Sequence, residues 1–317
     1  MPDVTKTDVK TGAVDPVGGA PAAVTPAESK SEKTRSLWGD AWADLRRSWI
    51  FIISSVLIFF LLLITFFPGW FTSADPILGD LSKHYLQKPK LGDVGSADWL
   101  GYDQQGRSVY ARVIYGTRAS IAVGFGTTVL VTLVGSLVGM ISGYFGGIVD
   151  SILSRLTDVF FGIPFLLGTM VVLNSFPERT AWIVIGALGF FGWTQISRVM
   201  RGAVITTKQS DYVQAAKALG ASTPRIMFRH ILPNTLAPVI VVATISLGVY
   251  IAAEATLSYL GLGLSGVSWG NDISGGGNSI RVAKWIMLYP SIMLSITVLA
   301  FIMLGEAVRN ALDPKMR

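Results

Sequence analysis

An all-α integral membrane fold with six transmembrane helices is the architecture this sequence predicts, on three observations. The 317 residues are 51% hydrophobic and only 15% charged, where a soluble domain carries about 25% charged residues. The mean hydropathy is +0.53. The charges are also clustered, so that six long tracts carry none; a helix needs roughly 20 apolar residues to cross the hydrocarbon core, with about 17 to 25 tolerated. This composition excludes an ordinary soluble enzyme, a disulfide scaffold and a disordered chain. Cysteine is absent and the only histidines are His84 and His230, which removes thiolate chemistry and leaves little for a metal. The net charge of +6 is no sign of nucleic acid, because the position of the charges matters more than their sum.

Residues 1–35 have no apolar periodicity and no apolar signal region, and are expected to form a disordered cytoplasmic tail. Over 36–48, Trp38, Trp42, Leu45 and Trp49 recur at spacings of four, three and four. That pattern predicts an amphipathic helix lying in the headgroup region. Residues 49–67 are the first span. Residues 68–118 hold six basic and five acidic residues and form an extracytoplasmic segment. A transmembrane core of 119–304 follows, with further spans over 119–143, 159–174, 181–196, 236–253 and 285–304, and a cytoplasmic end at 305–317. The third and fourth spans are only just long enough. An uncharged, glycine-rich tract at 255–271 reads as a loop or packed chain, because irregular backbone cannot face lipid.

Six spans fix the topology once one end is placed. With the amino terminus inside, the inner segments carry 17 basic residues and the outer segments 9. The positive-inside rule then puts both termini in the cytoplasm. Within the second span, Ala122, Gly126, Gly135, Gly139 and Gly143 fall at four-residue spacings that let another helix approach closely, which predicts a central position for this helix. Pro164 and Pro238 are expected to kink or end helix locally. No span carries a charge near its middle. Glu254 lies near the outer end of the fifth, so the carboxylate relays of proton-coupled carriers are missing. The energy for any transport is expected to come from elsewhere.

The segment Ser210–Asn234, within an inner loop of 198–234, predicts two short helices and a glycine turn. Asp211 caps the first with Gln214 three residues on, in capping-box spacing. Ala215, Ala216, Ala218 and Leu219 favour helix. Gly220 supplies a left-handed closing residue. Thr223 and Pro224 start a second helix, expected to end before Pro233. The product is a compact knob with a basic rim of Arg225 and Arg229. It suits a protein partner or phospholipid headgroups equally on periodicity alone.

The sequence Gln214-Ala215-Ala216, three residues, Gly220, then Leu232-Pro233 resembles the EAA loop of permease subunits in bacterial ABC importers. Gln214 stands where the family has Glu, and His230 where it has Ile. Four further segments are similar to the C-type subunits of the dipeptide, oligopeptide and nickel branch: Gly101–Arg107 with Arg112 and Gly116, Phe228–Asn234, Ala253–Gly263 with Ser268-Trp269-Gly270, and Gly305-Glu306 with Ala311–Pro314. The proline pair usual before Trp269 is absent. The resemblance covers residues 36–317. It implies a type I ABC importer permease architecture in the bacterial inner membrane, paired with a second, B-type permease as a pseudo-twofold heterodimer. Two cytoplasmic ATPase domains and an extracytoplasmic solute-binding protein complete the expected assembly, with membrane lipid around it and peptide as cargo.

The resemblance further implies that Asp211, Tyr212, Gln214, Ala215, Ala216, Lys217, Leu219, Gly220, Arg225 and Arg229 couple to the ATPases. It leaves Glu254 and Trp269 as candidates for an outer gate or loop. No Gly-Lys-Ser/Thr phosphate loop occurs, so no catalytic residue, cofactor or metal ligand is assigned; ATP and magnesium would belong to the partner ATPases. Nickel chelates, glutathione and haem remain open as cargo. A secondary transporter would explain six spans but should show internal repeats or midplane charges. A non-transport scaffold would leave the EAA segment unexplained.

Overall fold

The computed structural model describes residues 37–312. The tail through Arg35 and the terminal Asp313-Pro314 pair lie outside them. Within the described residues the regular structure is helical, apart from one isolated bridge between Tyr102 and Ser108.

A helix does form over the predicted stretch, α1 (Leu37–Leu45). Trp42 is exposed on it, with the Arg46 guanidinium 5.2 Å from its ring centroid and Phe51 edge-on at 6.1 Å. Ser48 accepts the Phe51 N–H at 3.4 Å and so caps α2 (Trp49–Phe66). Exposed Phe59, Phe60 and Phe66 line α2, as befits a helix whose outer face meets acyl chains. A 3-10 turn (Pro68–Trp70) and α3 (Leu81–His84) punctuate the segment that follows. Ser82 and Lys83 hydrogen-bond the exposed Asp80 carboxyl at the start of α3 and hold its pKa down at about 2.

α4 (Val109–Phe145) starts ten residues ahead of the uncharged tract, because Ser108 caps it and the charges of Arg112 and Arg118 are satisfied locally. The Arg118 Nε donates to the Thr65 carbonyl at 2.8 Å. At 37 residues the helix is about 55 Å long, more than the membrane requires. Its glycines pack against α7 (Ala181–Lys208). A Cβ on Gly135 would lie 2.6 Å from the Trp193 carbonyl oxygen, and one on Gly143 2.9 Å from that of Arg201, with Gly139 against Ser197 between them. These contacts step by four residues on both helices, so the two backbones run in register at close approach, and van der Waals packing holds them together.

The third apolar tract is not one straight span. It divides into α5 (Gly147–Gly162) and α6 (Phe165–Asn174), bent by 81°. Pro164 is the cause: it lacks an N–H, and Ile163 before it is pushed to extended backbone at φ −82°, ψ 123°. Pro238 behaves otherwise, because helix α10 (Leu232–Tyr259) runs through it. Before α10 come α8 (Asp211–Ala218), α9 (Thr223–Arg225) and a π-helical segment (Ile226–Ile231). The glycine-rich tract is the end of α10, a loop and the start of α11 (Trp269–Gly277), and α12 (Trp285–Leu312) follows. Among the described residues five helices are long and apolar enough to cross a membrane, and the bent pair makes a sixth crossing if it spans. The core lies where α4, α7 and α10 meet, around Val131, Trp193, Ile196, Met200 and Tyr250.

Candidate functional site

The segment between α7 and α10 folds as a knob. Ser210, not Asp211, occupies the cap position of α8, and its side chain makes no capping bond. Gln214 does not reach back into a capping box either; its amide donates to the Lys208 carbonyl at 2.9 Å and ties α8 to the end of α7. The far end of α8 matches the prediction. Gly220 has φ +78°, and the N–H groups of Gly220 and Ala221 donate to the carbonyls of Lys217 and Ala216, both at 3.0 Å. That pair of bonds is the Schellman closure.

One residue of α8 anchors the knob. Val213 is buried with Ile226, Met227, Ile231, Met200 and Val204. Asp211, Tyr212, Gln214, Ala215, Lys217, Leu219, Gly220, Arg225 and Arg229 are exposed, and Ala216 is half-buried. Leu219 is 88% exposed, an apolar side chain with nothing to cover it in this chain. Beside it a shallow concavity of about 380 Å³ is lined by Ala216, Leu219, Gly220, Ala221, Arg225 and Arg229.

The second helix of the knob differs from expectation. Ser222 takes the cap position, so Thr223 and Pro224 are the first two helical residues. The helix does not end before Pro233. It widens into the π-helical segment, where the Leu232 N–H reaches the Met227 carbonyl, and continues as α10. Pro233 is the second residue of α10 and lies inside the continuing helix, directly after the π-helical segment. The second helix of the knob and the spanning helix are thereby one continuous rod from Thr223 to Tyr259. A bidentate ion pair fixes two other helices: Arg201 on α7 donates to both Asp150 oxygens at 2.6 Å, joining α7 to the start of α5.

At the opposite end of α10 the two gate candidates are core residues. Glu254 is fully buried and accepts hydrogen bonds from the hydroxyls of Ser120 at 3.1 Å and Ser258 at 2.7 Å. Trp269 is also fully buried, and its indole N–H donates to the Val113 carbonyl at 2.9 Å. Together they lock α4, α10 and α11 to one another. Sequence reasoning missed a neighbouring lock, the buried ion pair of Arg112 on α4 and Asp272 on α11. Arg112 also donates to the Pro76 carbonyl at 3.0 Å. Its signal was present as a lone charge pair bordering apolar tracts 160 residues apart.

A cavity of about 430 Å³ opens at the α5–α6 break, between α7 and α10. Nothing in the composition marks it, since its walls come from four separate helices, α5, α6, α7 and α10. Among the described residues no cluster of His, Asp or Glu could hold a metal ion.

Residues 135–317, more than half of the chain, match the family described as the binding-protein-dependent transport system inner membrane component. The chain belongs to this permease family. Residues 36–89 match the N-terminal TM domain of oligopeptide transport permease C, which extends the likeness over α1 and α2. The permease is 34% identical over 293 residues to the oligopeptide transport system permease protein OppC of Bacillus subtilis, covering 92% of this chain and 94% of that one. It is 34% identical over 288 residues to the dipeptide transport system permease protein DppC of Alkalihalophilus pseudofirmus, covering 89% and 91%. It is 30% identical over 291 residues to the glutathione transport system permease protein GsiD of Pectobacterium atrosepticum, covering 91% and 94%. The permease is thus a multi-pass membrane protein of the oligopeptide and dipeptide branch, with the all-helical fold its sequence predicts.

Proposed function

We propose that the permease forms one half of the translocation path of an ATP-driven peptide importer, with both termini in the cytoplasm. A second, B-type permease supplies the other half. Two ATPase domains dock beneath, and an extracytoplasmic binding protein delivers the peptide. This chain does no chemistry itself; ATP and magnesium belong to the ATPases.

The observation that carries the reading is the construction of the knob. Coupling by motion needs a rigid lever, because a loose loop would dissipate the displacement of the ATPases. Here α8 is closed by two Schellman bonds and pinned by buried Val213, and α9, which follows the turn, is continuous through Ile226–Ile231 with α10. A push at Leu219 therefore moves a helix that crosses the core. Gln214, where the family pattern has Glu, spends its side chain on the Lys208 carbonyl, so docking at this point relies on Leu219, the small alanines and the basic rim. Peptide cargo is favoured by the oligopeptide and dipeptide transport relatives. Glutathione is the second reading, favoured by the glutathione permease relatives.

The test is reconstitution of the permease with its second permease, ATPases and binding protein in vesicles. Peptide-loaded binding protein should stimulate ATP turnover and drive uptake, and glutathione-loaded protein should do so less. Stimulation by glutathione alone would exchange the two readings. Turnover indifferent to every loaded binding protein would contradict import.

A further inference from the structure

Gln195 lies fourteen residues beyond Ala181 on α7, about 21 Å along the helix axis and so within a hydrocarbon core about 30 Å thick. Its side chain is exposed and makes no hydrogen bond among the described residues. Membrane helices turn such groups toward protein or water, because acyl chains cannot satisfy them. One turn on, Asp158 and Arg198 form an exposed ion pair at 2.9 Å, and the guanidinium carbon lies 3.9 Å from the Phe161 ring centroid. This face of α5 and α7 is therefore unsuited to lipid.

The 430 Å³ cavity opens on the same face. Phe161, Phe165, Phe191 and Tyr250 supply aromatic wall, while Gln195 and Ser246 add polar groups. Its volume falls in the range of small-ligand pockets, about 300–1,000 Å³, and so does its make-up, largely apolar with a few polar groups. No charged residue lines it. A carboxamide both donates and accepts, which is the pattern a peptide group presents whatever the sequence of the peptide.

We propose that this cavity is a subsite on the translocation path for one bulky uncharged side chain of the transported peptide, with Gln195 hydrogen-bonding the adjoining peptide group. The proposal rests on the peptide-import reading above. Aromatic walls gain by covering apolar surface without demanding one shape, which suits a path that must release what it holds.

The test uses the complete importer in vesicles, with cysteine-free partner subunits, and two probes, Ala-Ala-Ala and Ala-Phe-Ala. Val249 is a half-exposed residue lining the cavity, and Val249→Trp narrows it. We expect this variant to lower Ala-Phe-Ala uptake at least five-fold relative to Ala-Ala-Ala. Because the chain has no cysteine, Gln195→Cys reports access directly: a charged, water-soluble thiol reagent should label it, and Ala-Phe-Ala should slow the labelling. Unchanged relative uptake in Val249→Trp, or an equal fall for both peptides, overturns the subsite and leaves import standing. A Gln195→Cys protein that never reacts overturns it too, since lipid or a helix of the second permease then covers the site. Failure of the unmodified complex to import either peptide sinks the import reading itself.

Discussion

Replacing Gly220 by valine tests the lever at its hinge. The residue has φ +78°, a conformation that costs a side chain bearing a Cβ about 1–2 kcal/mol. A Cβ added there meets no atom within 4 Å, so crowding contributes nothing and the cost is purely conformational. At about 1.4 kcal/mol per factor of ten, the closed turn becomes roughly 5- to 30-fold less favoured against an open one. Valine lies at the upper end of that range, alanine lower, and asparagine, which enters the left-handed region more readily, lowest of the three. In reconstituted vesicles, peptide uptake per ATP hydrolysed should fall in the order glycine, asparagine, alanine, valine, while membrane insertion persists. Unchanged uptake with Gly220→Val would refute the reasoning. So would an asparagine variant as damaged as the valine one, because turn geometry would then not be the cause.

Leu219→Asp removes the exposed apolar knob; burying a leucine is worth about 1.5–3 kcal/mol, so ATPase association should weaken on the order of ten- to a hundred-fold in a co-purification titration, and an unchanged midpoint would contradict docking at Leu219. Arg112→Leu leaves Asp272 buried without its partner, which costs about 3–5 kcal/mol; the detergent-purified protein should unfold at clearly lower temperature, with most of the loss recovered in the Arg112→Leu, Asp272→Leu double variant. Equal melting of wild type and Arg112→Leu would show that the pair is not structural. Ser222→Cys should react with thiol reagents only from the cytoplasmic side, and labelling of intact cells by an impermeant reagent would invert the topology.

Much of the fold was legible because lipid imposes simple rules. Charge-free tracts located the spans, the four-residue glycine spacing in α4 foretold its contact with α7, and Gly220 marked a left-handed turn that only tolerant residues occupy. What stayed hidden depends on relations between distant residues or on backbone register. The π-helical segment over Ile226–Ile231 has no compositional mark, so Pro233 read as a stop when it is the second residue of a continuing helix. Ser210 and Asp211 are both good caps, and sequence spacing favoured Asp211 although the structure starts α8 one residue earlier. Glu254 stands out as a carboxyl near a span end, with Ser258 one turn away on the same helix, but its second partner, Ser120, comes from α4 and is invisible in a linear reading. Gln195 carries no mark in the sequence, because a single glutamine does not reveal which face of its helix is exposed.

The account stands on the permease being a passive half-path moved by its ATPase neighbours. The direct measurement is the ratio of internal to external radiolabelled peptide in vesicles holding this chain alone, and in vesicles holding the complete complex with ATP. Accumulation above the external concentration is predicted only for the complete complex, and only while ATP is hydrolysed. Accumulation by the chain alone, or by the complex without ATP, would contradict the account.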